Sequence, residues 1–107
     1  MHLCQVKDKL KEFRFDSLRL DCDNHFEAVI LKNELEKLKV QLASLFGEPV
    51  WPSKKKMSRQ IEDMVNGFGG IMAGQTLYFW SKDKDTVFVM LWPWQDGEHT
   101  TIKAIQR

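Results

Sequence analysis

The last third of the chain carries a pattern of apolar residues that predicts three antiparallel strands, at 75–81, 86–92 and 99–105. Lys82 to Asp85 form one turn segment, and Asp96-Gly97, among the strongest short hairpin signals, forms the other. A meander with one wet face should alternate apolar and polar residues. The first two strands are instead apolar on both faces, so each face of this sheet needs a cover.

Two stretches ahead of the meander have the apolar spacing of helices. In the first, at about 33–46, leucines recur every three or four residues, and Gly47 and Pro49 mark its end. The second, at about 57–67, ends in a glycine-rich segment, and Ser53 or Ser58 can cap its start. Both patterns predict amphipathic helices with one apolar face.

The segment before the first helix has two interpretations. Residues 13–20 alternate as a strand does, with a slip at Asp16-Ser17 that predicts a bulge or turn. If Asn33 and Glu36 cap the helix, 26–31 is a strand that pairs back on 13–20. If the cap lies at Asn24 instead, one helix of more than twenty residues results. The position of Val29 off the leucine stripe favours the strand.

Strands and helices segregate along the chain, which predicts an α+β fold. We expect one domain over 1–107, because 107 residues are enough for one core. The predicted architecture is an antiparallel sheet of three to five strands, the meander with or without an N-terminal hairpin. Two helices pack on one of its faces, and residues 1–11 are frayed or form a short helix.

The turns predict which side chains share a face of the sheet. Phe79 should face Phe88, and Trp92 should face Thr101. Pro93 has no N–H, so a bulge lies at 92–94, the loop is longer than Asp96-Gly97, or the strand ends at Trp92. The face away from the helices then carries an aromatic floor with a polar third strand: Leu77, Phe79, Phe88, Met90, Trp92, Trp94, His99, Thr101 and Lys103.

The size of this aromatic floor is the main functional signal. Four large aromatic residues at roughly 150–250 Å² each give about 600–1,000 Å², beyond the roughly 300–600 Å² patch of a typical monomer. Three covers are possible: the chain's own N-terminal segment, a second copy, or a ligand or foreign partner. The predicted contact comprises Phe79, Phe88, Met90, Trp92 and Trp94, with a rim of His99, Thr101 and Lys103.

Composition excludes several functional classes. Sixteen basic and fifteen acidic side chains leave a net charge of +1, so no bulk field attracts nucleic acid or an anionic membrane. Cys4 and Cys22 are too few for a disulfide scaffold and predict reduced thiols in the cytoplasm. The N-terminus lacks the apolar stretch of a signal peptide, and no apolar run of about 18 residues could span a membrane.

Local chemistry gives weaker candidates. A basic patch beside an aromatic ring could bind nucleic acid, although a solvated helix start explains the same pattern; it comprises Trp51, Lys54, Lys55, Lys56 and Arg59. His99, near Asp96, could be an ionisable catalytic group. Cys22 and His25 lie three apart, a spacing more typical of an ordinary turn than of a metal site. The sequence predicts no metal site and no cofactor.

These observations predict a non-catalytic interaction module. It homodimerises or binds a macromolecular partner through the aromatic face. The alternative is a small-molecule-binding protein, or a minor enzyme, that uses the same aromatic cleft with His99. The third hypothesis is weak nucleic-acid binding through Trp51 and the lysine patch.

Overall fold

The computed structural model describes residues 1–52, 56–71 and 74–107. Within these ranges the chain forms three helices and five strands. In chain order they are α1 (Leu3–Leu10), β1 (Ser17–Asp21), β2 (His25–Leu31), α2 (Lys32–Phe46), α3 (Arg59–Asn66), β3 (Thr76–Lys82), β4 (Asp85–Pro93) and β5 (His99–Gln106).

The strands form one antiparallel sheet in the order β1-β2-β5-β4-β3, which confirms the α+β class. β2 pairs with β1, so the strand interpretation of 26–31 is confirmed over the long helix. The β1–β2 register shifts between Leu18 and Leu20, which places the irregularity at Arg19, just after the predicted slip. A bulge of this kind turns two successive side chains toward the same partner residue.

The meander has the predicted register. Phe79 faces Phe88 and Ser81 faces Thr86, while Trp92 faces Thr101. These pairs follow from the turns: β3 and β4 are joined at Asp83, whose φ of 56° suits a tight hairpin.

Pro93 is accommodated by a loop longer than Asp96-Gly97. The backbone N–H of Trp94 donates to the C=O of His99 at 2.8 Å, and Pro93 lies opposite Thr100. Hydrogen-bonded and non-hydrogen-bonded pairs alternate in an antiparallel ladder, so Pro93 falls where no N–H is needed. Residues 95–98 form the loop, and Asp96 Oδ1 closes it by accepting the N–H of Glu98 at 2.8 Å.

The first face of the sheet is covered by α1 and α2. The helix α1 has apolar residues at positions 3, 6 and 10, spaced to share one face, and all three are buried. From α2, Leu38 and Leu42 are fully buried. The sheet contributes the rest of this core: Phe26, Ala28, Ile30, Tyr78, Val87, Val89, Leu91, Ile102 and Ala104.

The helix α2 begins earlier than its predicted cap. Leu31, in an extended conformation, precedes the first helical residue and makes no side-chain cap. Asn33 and Glu36 therefore lie inside the helix instead of closing its first turn. Gly47, with a φ of 79°, ends the helix as predicted.

The second face of the sheet is covered by α3 and the segments on either side of it. Two helices do share one face, but they are α1 and α2, whereas α3 packs on the opposite side. Ser58 caps α3 by accepting the N–H of Ile61 at 3.3 Å, and Val65 is fully buried. Because α1 already occupies the first face, the apolar side of α3 covers the aromatic floor. The chain thus closes much of this floor itself, with residues from 50–52 and 56–71 rather than with its N-terminus.

Candidate interaction surface

The centre of the predicted aromatic contact is core. Phe88 and Met90 are fully buried beneath α3, together with Leu77. Phe79 is half-buried at the edge of the sheet and stacks on Phe88, with ring centroids 6.1 Å apart. This corrects the expectation that Phe88 and Met90 face a partner, since their side chains already pack against their own chain.

Trp92 marks the boundary between the covered and open halves of this face. Its ring lies against the backbone of Gly69 on one side of the sheet. Lys103 places its Nζ 3.7 Å from the ring centroid, a cation–π contact. Lys103 Nζ is also 3.9 Å from Glu27 Oε1, and His25 Nε2 is 3.7 Å from that oxygen. A row of partly buried charges therefore runs across the sheet where α3 ends.

Trp94 covers the open half and remains accessible. Its indole Nε1–H donates to Thr101 Oγ1 at 2.8 Å, and the ring stacks on His99 with centroids 4.7 Å apart. The guanidinium carbon of Arg19 lies 5.5 Å from the ring centroid. Thr101 is thereby buried, while Trp94 keeps 37% of its surface exposed. The indole is both held in place and open to solvent.

His99 lies between two carboxylates. Its Nδ1 is 2.6 Å from Asp96 Oδ2 and its Nε2 is 3.5 Å from Asp16 Oδ2. The pKa of Asp96 is lowered below 3.8, first by the N–H of Glu98 and then by His99. These contacts hold the imidazole ring in its stacked position against Trp94.

The apolar part of this surface includes a residue from the edge strand. Leu20 lies opposite Glu27 in the β1–β2 register, which places it on the same face as Trp94, and 38% of its surface is exposed. We define the Trp94 surface as Arg19, Leu20, Trp94, His99 and Lys103. Three of these were among the predicted contact residues. Arg19 and Leu20 were missed, although the slip in alternation near them was the signal that could have shown them.

The predicted nucleic-acid patch is only partly visible. Lys54 and Lys55 lie outside the described residues, and Lys56 and Arg59 are exposed. Trp51 is half-buried in the second core, and its C=O accepts the N–H of Leu77 at 2.9 Å. Its ring is thus engaged in the fold, which weakens the case for base stacking.

The spacing of Cys22 and His25 is not accompanied by a metal site in the described ranges. Among these residues, no group of three or more histidine, cysteine, aspartate or glutamate side chains is placed to hold an ion. The ring of His25 instead packs edge-on against Phe68, with centroids 6.0 Å apart. None of the described helices is both long enough and apolar enough to cross a bilayer.

No family model, no curated protein and no solved structure matches this chain.

Proposed function

We propose that this protein is a non-catalytic interaction module that binds a protein partner through the Trp94 surface. The observation that carries the proposal is the state of Trp94 itself. Its backbone and its indole N–H are both hydrogen-bonded, and its ring is stacked, yet 37% of it is exposed. A rigid, partly exposed tryptophan next to an arginine is the usual anatomy of a binding hot spot.

The charges around Trp94 suggest the chemistry of the partner. Asp16 and Asp96 contact His99, Glu98 precedes it, and all three carboxylates are exposed. Two cations of the Trp94 surface oppose them: Arg19 lies over the Trp94 ring, and Lys103 is already paired with Glu27 at 3.9 Å. A segment that places an apolar side chain beside Trp94 and Leu20, flanked by lysine or arginine, complements this arrangement.

The cavity that borders His99 is small for a ligand of the size that typical pockets hold, which supports a protein partner at the Trp94 surface. The cavity beside His99 holds about 260 Å³, below the roughly 300–1,000 Å³ of typical ligand pockets. It lies on the helix side of the hairpin, away from the aromatic floor, and is lined by Lys32, Leu35, Glu36, Pro93, Gly97, Glu98, His99 and Thr100.

We propose a cytoplasmic location for the module. Cys4 and Cys22 are both free and exposed, which supports a reducing compartment, since secreted proteins seldom keep such thiols unpaired.

The proposal is tested with the immobilised protein and a random peptide library displayed on phage. We expect enriched peptides to carry an apolar residue flanked by lysine or arginine. Trp94→Ala should remove the enrichment, and Arg19→Glu should shift it toward more basic peptides. Val40→Ala is the matched control, because Val40 is a large apolar residue on α2 that is 68% exposed.

Two results would overturn the proposal. One is the absence of any enriched sequence class with the wild-type protein. The other is enrichment that persists unchanged in Trp94→Ala, which would place the contact elsewhere.

A further inference from the structure

The outer edge of β3 presents backbone groups that point away from the sheet. On its inner side, Thr86 exchanges both backbone hydrogen bonds with Arg107, at 3.1 and 2.8 Å, so Thr86 is turned toward β5. Ser81, directly opposite Thr86, therefore has its own N–H and C=O turned outward. Since this direction repeats every second residue, Phe79 and Leu77 also face outward.

Only one of these three outward residues has a backbone partner in the described part of the chain. Leu77 donates to the C=O of Trp51 at 2.9 Å and accepts from the N–H of Val50 at 2.9 Å. That bridge is isolated and ends there. Among the described residues, the outward backbone groups of Phe79 and Ser81 have no such bridge.

Beyond Leu77, which Val50 and Trp51 cover, the described residues give this edge none of the features by which proteins usually block strand addition. Such features are proline, a bulge, charged side chains, a very short strand, or a covering helix or loop. β3 is seven residues long, its register with β4 is continuous, and its one charged residue, Lys82, is its last. Phe79 packs against the second core and Trp80 against the first, and both remain half-exposed.

We propose that β3 pairs antiparallel with β3 of a second copy of this chain, joining two sheets into one of ten strands. An antiparallel pair of identical strands has two-fold symmetry, so the same edge is complementary to itself. Backbone hydrogen bonds between the two strands can form only in registers that bring the outward groups of Phe79 or Ser81 opposite outward groups of the second copy. Of these registers, one remains when the occupied positions are excluded.

The selected register places Trp80 opposite Trp80 of the second copy. Phe79 then lies opposite Ser81 of the other chain, twice, and each such pair exchanges two backbone hydrogen bonds. A register centred on Phe79 would pair Leu77 with Ser81 of the second copy, but the outward backbone groups of Leu77 are already bonded to Val50 and Trp51. Centring it on Ser81 would require Asp83, which is in the turn with a φ of 56°.

The side chains that this register brings together are compatible on both faces of the sheet. The two Trp80 rings meet on the first face, beside the core that α1 and α2 cover. On the second face, Phe79 meets the small side chain of Ser81. Lys82 lies opposite Tyr78, so no like charges oppose each other across the pair. A second copy is thus favoured over a foreign strand, because each chain supplies both halves of the match.

The dimer edge and the Trp94 surface are separate, and this inference does not depend on the proposed partner. β3 is one end of the sheet order and β1, which carries Arg19 and Leu20, is the other. Both surfaces can therefore be occupied together, and each can be disabled by its own variant.

Sedimentation velocity over a range of concentrations, with hydrogen exchange at each, tests the inference. We expect the mass to rise from monomer to dimer with concentration, and the amides of Phe79 and Ser81 to become protected as it does. Ser81→Pro should abolish the dimer, because it removes an outward N–H without touching the ladder to β4. Ser81→Ala, which keeps that N–H, should still dimerise, and so should Trp94→Ala.

A second variant tests the same register in case Ser81→Pro does not fold. In a background with Cys4→Ser and Cys22→Ser, Trp80→Cys should give a disulfide-linked dimer under mild oxidation, since opposed residues at this kind of pair are about 4.5 Å apart. Leu18→Cys, on the other edge, should not. A protein that is monomeric at all concentrations overturns the inference. So does a dimer in which Phe79 and Ser81 exchange freely, including one formed by a different strand.

Discussion

The two edges of this sheet are built in opposite ways. β1 is five residues long, every one of them is exposed, and its register is broken at Arg19. β3 is longer, regular and apolar, and its side chains reach both cores. The bulged, charged edge resists the addition of another strand, whereas the regular one invites it. Exposed leucines at β1 are therefore a weaker sign of strand pairing than the half-buried aromatics at β3.

The two edges also differ in what holds them to the sheet. Beyond its backbone pairing, β1 is attached through charges: Lys7 Nζ donates to Asp21 Oδ1 at 2.7 Å, and Arg19 lies over Trp94. β3 is attached by buried apolar side chains, Leu77 on one face and Tyr78 on the other. Side-chain truncation should therefore destabilise the protein more at β3, whereas acid should loosen β1 more than β3.

The largest expected difference between the edges is the response to side-chain truncation. Leu77→Ala should lower the free energy of unfolding by about 2–5 kcal/mol, because it leaves a cavity beneath α3. Leu18→Ala is the matched change at β1, where 59% of the side chain is already exposed. It should alter stability by no more than about 0.5 kcal/mol. Urea unfolding, followed by tryptophan fluorescence, measures both.

Comparable losses in the two variants would contradict the contrast. A small loss for Leu77→Ala would mean that α3 does not seal the second face. A large loss for Leu18→Ala would mean that β1 is packed more tightly than its exposure indicates.

The second prediction concerns the cover on the second face of the sheet, which packs over β3 but not over β1. Gly69 has a φ of 104°, and a Cβ there would lie 2.6 Å from Cη2 of Trp92. Gly69→Ala should therefore cost about 1–3 kcal/mol, through backbone strain and the displaced ring together. Thermal unfolding and the emission spectrum of the protein report the loss and the movement of Trp92.

Gly74→Ala separates the two causes. Gly74 has a φ of 85°, but a Cβ there meets none of the described residues within 4 Å, so this variant reports strain alone. If both alanines cost the same, the approach of Trp92 to Gly69 contributes nothing to stability, and the Trp92 ring does not pack tightly against this segment.

The sequence predicted local features well. The strands 75–81, 86–92 and 99–105 fall within a residue of their observed bounds, because alternation and turn residues are properties of neighbouring positions. The pairing of Phe79 with Phe88 followed from the turn length for the same reason. Even the long loop after Pro93 was one of the predicted possibilities, since a missing N–H restricts the ladder.

What the sequence could not predict is which surface each helix covers. The periodicity of Ile61, Met64 and Val65 shows that α3 has an apolar side, but both faces of the sheet are apolar and would accept it. In α1, the three apolar residues are separated by charged residues such as Lys7 and Asp8, so the sequence did not indicate that this helix is part of the core. Once α1 is placed on the first face, α3 is left for the second, and Phe88 becomes core rather than contact. The candidate site moved to Trp94 for that reason.

The smallest expected effect is a local loosening of β1 in acid. The hydrogen bond from Lys7 lowers the pKa of Asp21 below its usual 3.8. A carboxyl whose pKa is depressed in the folded state adds stability that is complete above 3.8 and is lost as the pH falls through the lower, folded value. Because Asp21 is on the surface, salt and solvent screen this contribution. Protection of β1 amides against hydrogen exchange, corrected for the intrinsic effect of pH, should fall below pH 3.8, while protection within β3 and β4 persists.

Asp21→Asn provides the comparison that decides whether charge holds this edge. Asparagine keeps the size and a hydrogen-bond acceptor for Lys7 but does not titrate in acid. The variant should begin with slightly lower protection of β1 at neutral pH and then show a weaker dependence on pH. Asp96, whose pKa is also lowered, still titrates in the variant, so residual loosening should be confined to the hairpin at Trp94. If β1 and β3 lose protection together in the wild-type protein, the two edges form one cooperative unit. The contrast between a charge-held edge and a core-held edge would then fail.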